Sequence, residues 1–411
     1  MKINRLTLRV SAIILIFFTV VTSCSKDDKS SGYSYFVSKE LSVSFTREYI
    51  TSLIDFVSGE IPELNNIKPL VISDINIYKL VYKTTINGHQ IDASGLVCVP
   101  ATPGDYPVLS FQNGTNTVNA YAPSESASDN SYKLIEIIAS MGYVVVIADY
   151  PGFGEAIQVP HPYLVADPTV QSLVDMLFAV KELTGSEMEE ISLKNEYYLI
   201  GYSQGGWATM ALHKALEINY PGEFNLIGSV CGAGPYDIKY LFQSMINDSS
   251  YPMPVYLGYI VHAYSAYNQF TNPANEILNE PYASRLGYLY NGLNDFNHIN
   301  SQLTTSITGL ITADFLSGFN TSPKYSTVRE ALTRNSVTPW HTLKPLYLLH
   351  GGSDTQVNPA VTTFFYNAMI AAGTSAGICN IEIIPGLDHG DGVAPCMIKG
   401  LQFILNLADS R

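Results

Sequence analysis

Six short runs in this chain are wholly or almost wholly apolar: PVLSF (107–111), YVVVIA (143–148), YYLIG (197–201), LIGSVC (226–231), PLYLLH (345–350) and NIEIIP (380–385). A strand covered by helices on both faces of a sheet needs this kind of run, because neither face meets water. Most of the segments between them have helical spacing, so the alternation predicts a mostly parallel sheet wound by right-handed crossovers. Upstream, two strand-like stretches, 75–86 and 91–99, flank Asn87-Gly88 and predict an antiparallel hairpin at the start of the sheet. Further upstream Tyr49, Ile50, Leu53, Ile54 and Val57 recur at helical spacing and predict a helix over 46–57 that packs on the core.

The rhythm breaks once. More than a hundred residues separate Cys231 from Pro345 without a comparable run, far more than a crossover loop needs. Residues 236–335 are therefore expected to form an inserted, largely helical cap on a core made of 34–235 and 336–411. The N-terminus has a different pattern again. Lys2, Arg5 and Arg9 precede an apolar run, Ser11 to Val21, that is short for a membrane span and suits a signal peptide over 1–23. The run ends in Val21-Thr22-Ser23-Cys24, which resembles a lipobox and implies lipidation of Cys24 in the mature protein. The polar stretch 24–33 reads as a flexible tether, and its Lys26-Asp27-Asp28 resembles a surface-export tag of bacterial lipoproteins. The expected location is the cell envelope, at the outer membrane, with membrane contact only through the lipid.

At 46% apolar and 14% charged residues the chain can bury a large core. Removing 1–23 leaves 19 basic against 36 acidic residues, a formal charge of −17 that excludes nucleic acid as a natural partner. Cys98, Cys231, Cys379 and Cys396 show no metal spacing, and the eight histidines contain no HExxH pair, so neither metal nor cofactor is expected. An oxidising compartment would permit a disulfide. Cys379 and Cys396 are the nearest pair in sequence, and the pairing stays open.

The chemistry gathers at strand ends. Gly201-Tyr202-Ser203-Gln204-Gly205 is a GxSxG motif between the strand 197–200 and a helix-like segment 207–218. In that context the serine occupies a strained turn, with glycines where side chains would collide. A serine hydroxyl needs an imidazole to take its proton and an acid to orient the imidazole. Asp354 follows the run 345–350 and His389 follows 380–385, so the order is Ser203, Asp354, His389, each beyond a strand. Asp388 and Asp391 lie too close to His389 in sequence to orient its ring well. His350 and Asp149 read as structural, Asp149 fixing its loop. For the oxyanion the expected donors are the backbone N–H groups of Gln204 and Thr115, with Gly114 for close approach and the Asn113 side chain holding the loop.

With VLSFQNGT, DYPGFG, HPYL, GYSQGG, HGGSDTQV and DHGD in view, the chain resembles the α/β-hydrolases of the secreted lipase and esterase group. The resemblance spans 108–392 and implies an α/β-hydrolase fold with a cap before the acid strand. It departs at Asn113, where many relatives carry histidine. The function implied is a serine hydrolase of carboxylic esters acting on a small-molecule or glycan-linked ester. Two alternatives stay open: a peptidase of the same fold, and a non-catalytic surface lipoprotein that binds glycans. The cap holds 11 of the 28 tyrosines. Tyr256, Tyr259, Tyr264 and Tyr267 fall near one side of a helix, so they either pack or wall a substrate pocket.

Overall fold

The structure, a computed structural model, describes residues 34–127 and 130–410. The expected signal peptide, the tether and Cys24 lie outside the described residues. Nine strands form one sheet: β1 (Phe36–Phe45), β2 (Ile75–Ile86), β3 (His89–Pro100), β4 (Gly104–Gln112), β5 (Val144–Ala148), β6 (Ile191–Tyr202), β7 (Leu226–Gly232), β8 (Leu346–Gly351) and β9 (Cys379–Ile384). Their order is β1-β2-β3-β5-β4-β6-β7-β8-β9. Pairing is antiparallel from β1 to β5 and parallel from β5 to β9. This is the mostly parallel sheet that the apolar runs predict, hairpin included, in the α/β-hydrolase arrangement that the resemblance implies.

The sheet's alternation divides the core in two. Val97, Val99, Val108, Val144 and Val146 face one cluster, while Leu96, Cys98, Leu109, Val145 and Ile147 face the other. Both faces are covered by helices, which is why the strands read as continuous apolar runs rather than alternating ones. The predicted N-terminal helix is Arg47–Val57, capped by the Thr46 side chain and burying Ile50 and Ile54. The edge strand β1 had no clear sequence signal. Of its ten residues only Phe36 is buried, so its pattern carries little hydrophobic contrast.

A disulfide between Cys379 and Cys396 does not form, and all four described cysteines are free and buried. The reason is the sheet: Cys379 belongs to one face cluster and Cys396, on helix Val393–Asp409, to the other. Burial pushes both thiols up to about 12, which keeps them inert.

Between β7 and β8 the chain forms helices, beginning with Ile238–Asn247 and Pro254–Ala266 and ending with Ser326–Asn335. Its side chains tie it to the core. Asn335 Oδ1 accepts from Ala166 N, and its carbonyl accepts from Trp207 Nε1 at 3.1 Å. The strand order reverses direction between β4 and β6, whose ends are in register, Gln112 beside Gly201. Such a reversal leaves a crevice beyond the strand C-termini, and the candidate residues converge there.

Candidate active site

Ser203 stands between β6 and helix Gln204–Ile218 with φ +59° and ψ −124°. A non-glycine residue is rarely held there and costs about 1–3 kcal/mol. The turn tightens because no side chain intervenes. A Cβ on Gly201 would lie 2.4 Å from Gly205 O, and one on Gly205 would lie 1.9 Å from Gln112 O. Gly206 belongs to the same device, since its Cβ would meet Gly232 O at 2.2 Å. The GxSxG pattern stops one residue short of it.

The hydroxyl of Ser203 lies 2.9 Å from His389 Nε2, and His389 Nδ1 lies 2.5 Å from Asp354 Oδ2. The carboxylate fixes Nδ1 as the N–H donor, leaving Nε2 free to accept the serine proton. Asp354 Oδ1 accepts from Gln356 N and Val357 N, each at 2.8 Å. Burial raises the Asp354 pKa, but hydrogen bonds from His350 and His389, the His389 charge and the Val357 N–H outweigh it. The result is a carboxylate held well below its usual range. Asp388 instead accepts from Asp391 N, and neither orients His389.

The histidine loop is held by contacts absent from any motif. Tyr202 donates its hydroxyl to His389 O at 2.8 Å, and Ser353 N donates to Leu387 O at 2.9 Å. A Cβ on Gly351 would lie 2.5 Å from Leu387 O. Tyr202 is thus a positioning residue, although it occupies a variable place within GxSxG.

The loop after β4 carries Thr115, which is half-buried and close to the Tyr163 hydroxyl. The Asn113 side chain does not hold this loop as expected. Among the described residues its Oδ1 has no partner, and its Nδ2 makes only a 3.4 Å contact to the adjacent Gly114 O. Tyr150 holds the loop instead, donating to Asn113 O at 3.2 Å, and Gln112 anchors it by accepting from Thr209. Gln204 also has a partner that the sequence hid. Its Nε2 lies 2.9 Å from His161 Nε2, while His161 Nδ1 lies 2.9 Å from Pro151 O. The carbonyl requires Nδ1–H, so Nε2 accepts from the amide. Burial lowers the His161 pKa to about 4, keeping the ring neutral. Asp149 ties loops together by accepting from Ser94, Ser124 N and the Ser124 hydroxyl.

The four tyrosines of the expected cap separate. Tyr264 is fully buried and donates to Leu164 O, so it packs and does not wall a pocket. Tyr259 and Tyr267 are nearly as buried and donate to Asn116 O and Pro160 O. All three staple helix Pro254–Ala266 and its C-terminal end to loops of the preceding strands. Tyr256 is half-buried and donates to Gln356 Oε1 at 3.1 Å, beside the acid. A cavity of about 220 Å³ lined by Phe153, His161, Tyr259, His262 and Tyr290 lies behind Gln204, and Ser203 is not in its lining. Among the described residues no cluster of side chains is suited to a metal ion.

The Secretory lipase family model matches residues 126–373. The chain belongs to the secretory lipase family. A comparison with curated sequences gives no match. Among solved structures, a candidate hydrolase from Legionella pneumophila is similar over 91% of this chain and 98% of its own, at 25% identity and TM-score 0.79. The rice cell wall degrading esterase LipA from Xanthomonas oryzae aligns over 91% and 97%, at 21% identity and TM-score 0.76. Candida antarctica lipase A in its closed state aligns over 91% and 82%, at 17% and 0.66. These neighbours share the fold of this secretory lipase, and the family makes it an ester hydrolase.

Proposed function

We propose that this secretory lipase is a serine carboxylesterase in which Ser203, His389 and Asp354 form the catalytic triad. The observation that carries the reading is the continuous hydrogen-bonded chain from Ser203 Oγ through His389 to Asp354. His389 Nε2 takes the hydroxyl proton as Oγ attacks the ester carbonyl, and the negative oxygen that forms is stabilised by the N–H groups of Gln204 and Thr115. His389 then returns the proton to the departing alkoxide. Water repeats the sequence to free the acid. In this reading residues 236–335 act as a cap that selects substrates, since the triad and both oxyanion donors lie outside it. The chain would be exported by residues 1–23 and acylated at Cys24, anchoring it to the outer membrane.

A fluorophosphonate probe should label Ser203 in the wild type, and Ser203→Ala should lose both labelling and hydrolysis of p-nitrophenyl acetate. Labelling at another serine, or activity in the variant, would overturn the triad. Mass spectrometry of the mature N-terminus separately tests the anchor, which fails if the protein begins beyond Cys24.

A further inference from the structure

The triad acid touches a second histidine. His350, near the end of β8, is fully buried. Its Nε2 lies 2.9 Å from Val357 O and 3.1 Å from Asp354 Oδ2, the same oxygen that meets His389. Its Nδ1 lies 2.6 Å from the hydroxyl of Thr362 in helix Ala360–Ala371. Two acceptors at Nε2 require that nitrogen to carry the hydrogen. The neutral ring then accepts the Thr362 proton at Nδ1. The two acceptors thereby fix the tautomer of His350, and Thr362 completes it with a donor at Nδ1.

We infer that His350 is a positioning residue for ester hydrolysis, donating Nε2–H to Asp354 Oδ2 so that the acid is fixed in orientation and part of its charge is drawn away from His389. The inference rests on the triad reading above. Its physical content is a count of donors. Asp354 has two backbone N–H groups on Oδ1 and two imidazole N–H groups on Oδ2, so the carboxylate cannot rotate without losing several bonds at once. A buried carboxylate with no donor but His389 would attract that proton more strongly and favour imidazolium before catalysis. The second donor moderates this attraction. The remaining titratable groups that act on Asp354 or are acted on by it are the Tyr202, Tyr251 and Tyr256 hydroxyls and the Cys396 thiol, which burial holds in their neutral forms.

The test compares His350→Leu, which removes the donor, His350→Gln, whose amide keeps one, and Thr362→Val, which removes the partner of His350 Nδ1 without touching Asp354. Each purified variant is assayed for kcat, KM and the pH profile of kcat/KM on p-nitrophenyl acetate, with thermal unfolding in parallel. His350→Leu should lose about 10- to 100-fold in kcat with KM nearly unchanged, and the acidic limb of its profile should move to higher pH. Thr362→Val should move the limb the same way by less, and His350→Gln should restore most of kcat. If His350→Leu does not fold, the other two decide: a limb that stays in place in Thr362→Val, together with a kcat in His350→Gln as low as that of an inert variant, overturns the inference. An unmoved limb in a folded His350→Leu overturns it as well. Failure of the triad reading would look different, because the wild type itself would then not be labelled at Ser203.

Discussion

Replacing Gly205 by alanine adds one carbon and two hydrogens, yet it should disable the enzyme. The new Cβ would lie 1.9 Å from Gln112 O, 2.7 Å from Gln112 C and 2.8 Å from Asn113 O. Real Cβ atoms keep at least 3.0 Å from such neighbours, so the end of β4 and the start of helix Gln204–Ile218 must part by roughly 1 Å, a scale at which misplacement costs on the order of 10²-fold in rate. Neither side yields easily. Gln112 pairs with Gly201 in the sheet and accepts from Thr209, and Tyr150 holds Asn113 O. Overpacking of this kind costs about 1–3 kcal/mol of stability. The displaced segments bear the two proposed oxyanion donors and the nucleophile, so kcat should fall about 10²-fold, equivalent to about 2.7 kcal/mol. The control is Gly222→Ala, where no atom lies within 4 Å of the new Cβ and stability should hold or rise by about 0.5 kcal/mol. Urea unfolding and p-nitrophenyl acetate kinetics measure both quantities. A folded Gly205→Ala enzyme with kcat within twofold of wild type would refute the argument that this contact sets the oxyanion geometry.

Glu136 is buried with neither carboxylate oxygen partnered among the described residues. Burial raises its pKa to about 8 from 4.5, against a smaller opposing effect of Lys133. Because the folded value is the higher one, the native state holds a proton that the unfolded chain has lost, and stability falls as pH rises from 4.5 through 8. Between pH 6.5 and 8 this amounts to about 2 kcal/mol; urea midpoints should drop accordingly in wild type and much less in Glu136→Gln, and an equal drop in both would remove Glu136 as the cause. In the cap, Tyr256→Ala should cost about 1–3 kcal/mol in kcat/KM for a bulky ester and much less for an acetate ester. Tyr264→Phe should instead lower stability by about 1 kcal/mol, with both esters affected alike. Equal losses on the two esters in a folded Tyr256→Ala would assign Tyr256 to packing too.

What could be read from the sequence was whatever repeats locally. Strands β4 to β8 announce themselves because both faces are largely buried, and the edge strand β9, with only Cys379 buried, does so through Ile381, Ile383 and Ile384. Ser203, Asp354 and His389 were legible because each sits just beyond one of those runs. The β1 strand was not, since an edge strand with one buried residue has almost no hydrophobic contrast. The residues that brace the site were hidden for a different reason: their partners are remote. Gln204 meets His161, Tyr202 meets His389 O, and Tyr150 meets Asn113 O. No periodicity links such positions. Asn113 was misjudged because its place beside a functional loop suggested a hydrogen-bonding role, whereas the loop is held through its own backbone carbonyl.

These remote contacts also explain how the site is held. Four loops, after β4, β6, β8 and β9, carry Thr115, Ser203, Asp354 and His389, and each is tied to a neighbour by a contact within the core. The serine turn is wedged against Gln112 and Gly232, the histidine loop hangs on Tyr202 and Ser353, and the acid is gripped by four N–H groups. None of those donors comes from residues 236–335. The cap touches the acid loop through the Tyr256 and Tyr251 hydroxyls on Gln356, one on its side chain and one on its carbonyl. A change in residues 236–335 therefore reaches the chemistry through the substrate or through three contacts: Gln356, whose N–H is one of the donors that grip Asp354, Asn116, whose carbonyl accepts from Tyr259 beside the β4 loop, and Trp207, which donates to Asn335 O from the helix behind Ser203. It follows that substitutions there which alter kcat on small esters should be those that move Gln356, Asn116 or Trp207, while the rest should act on substrate choice alone.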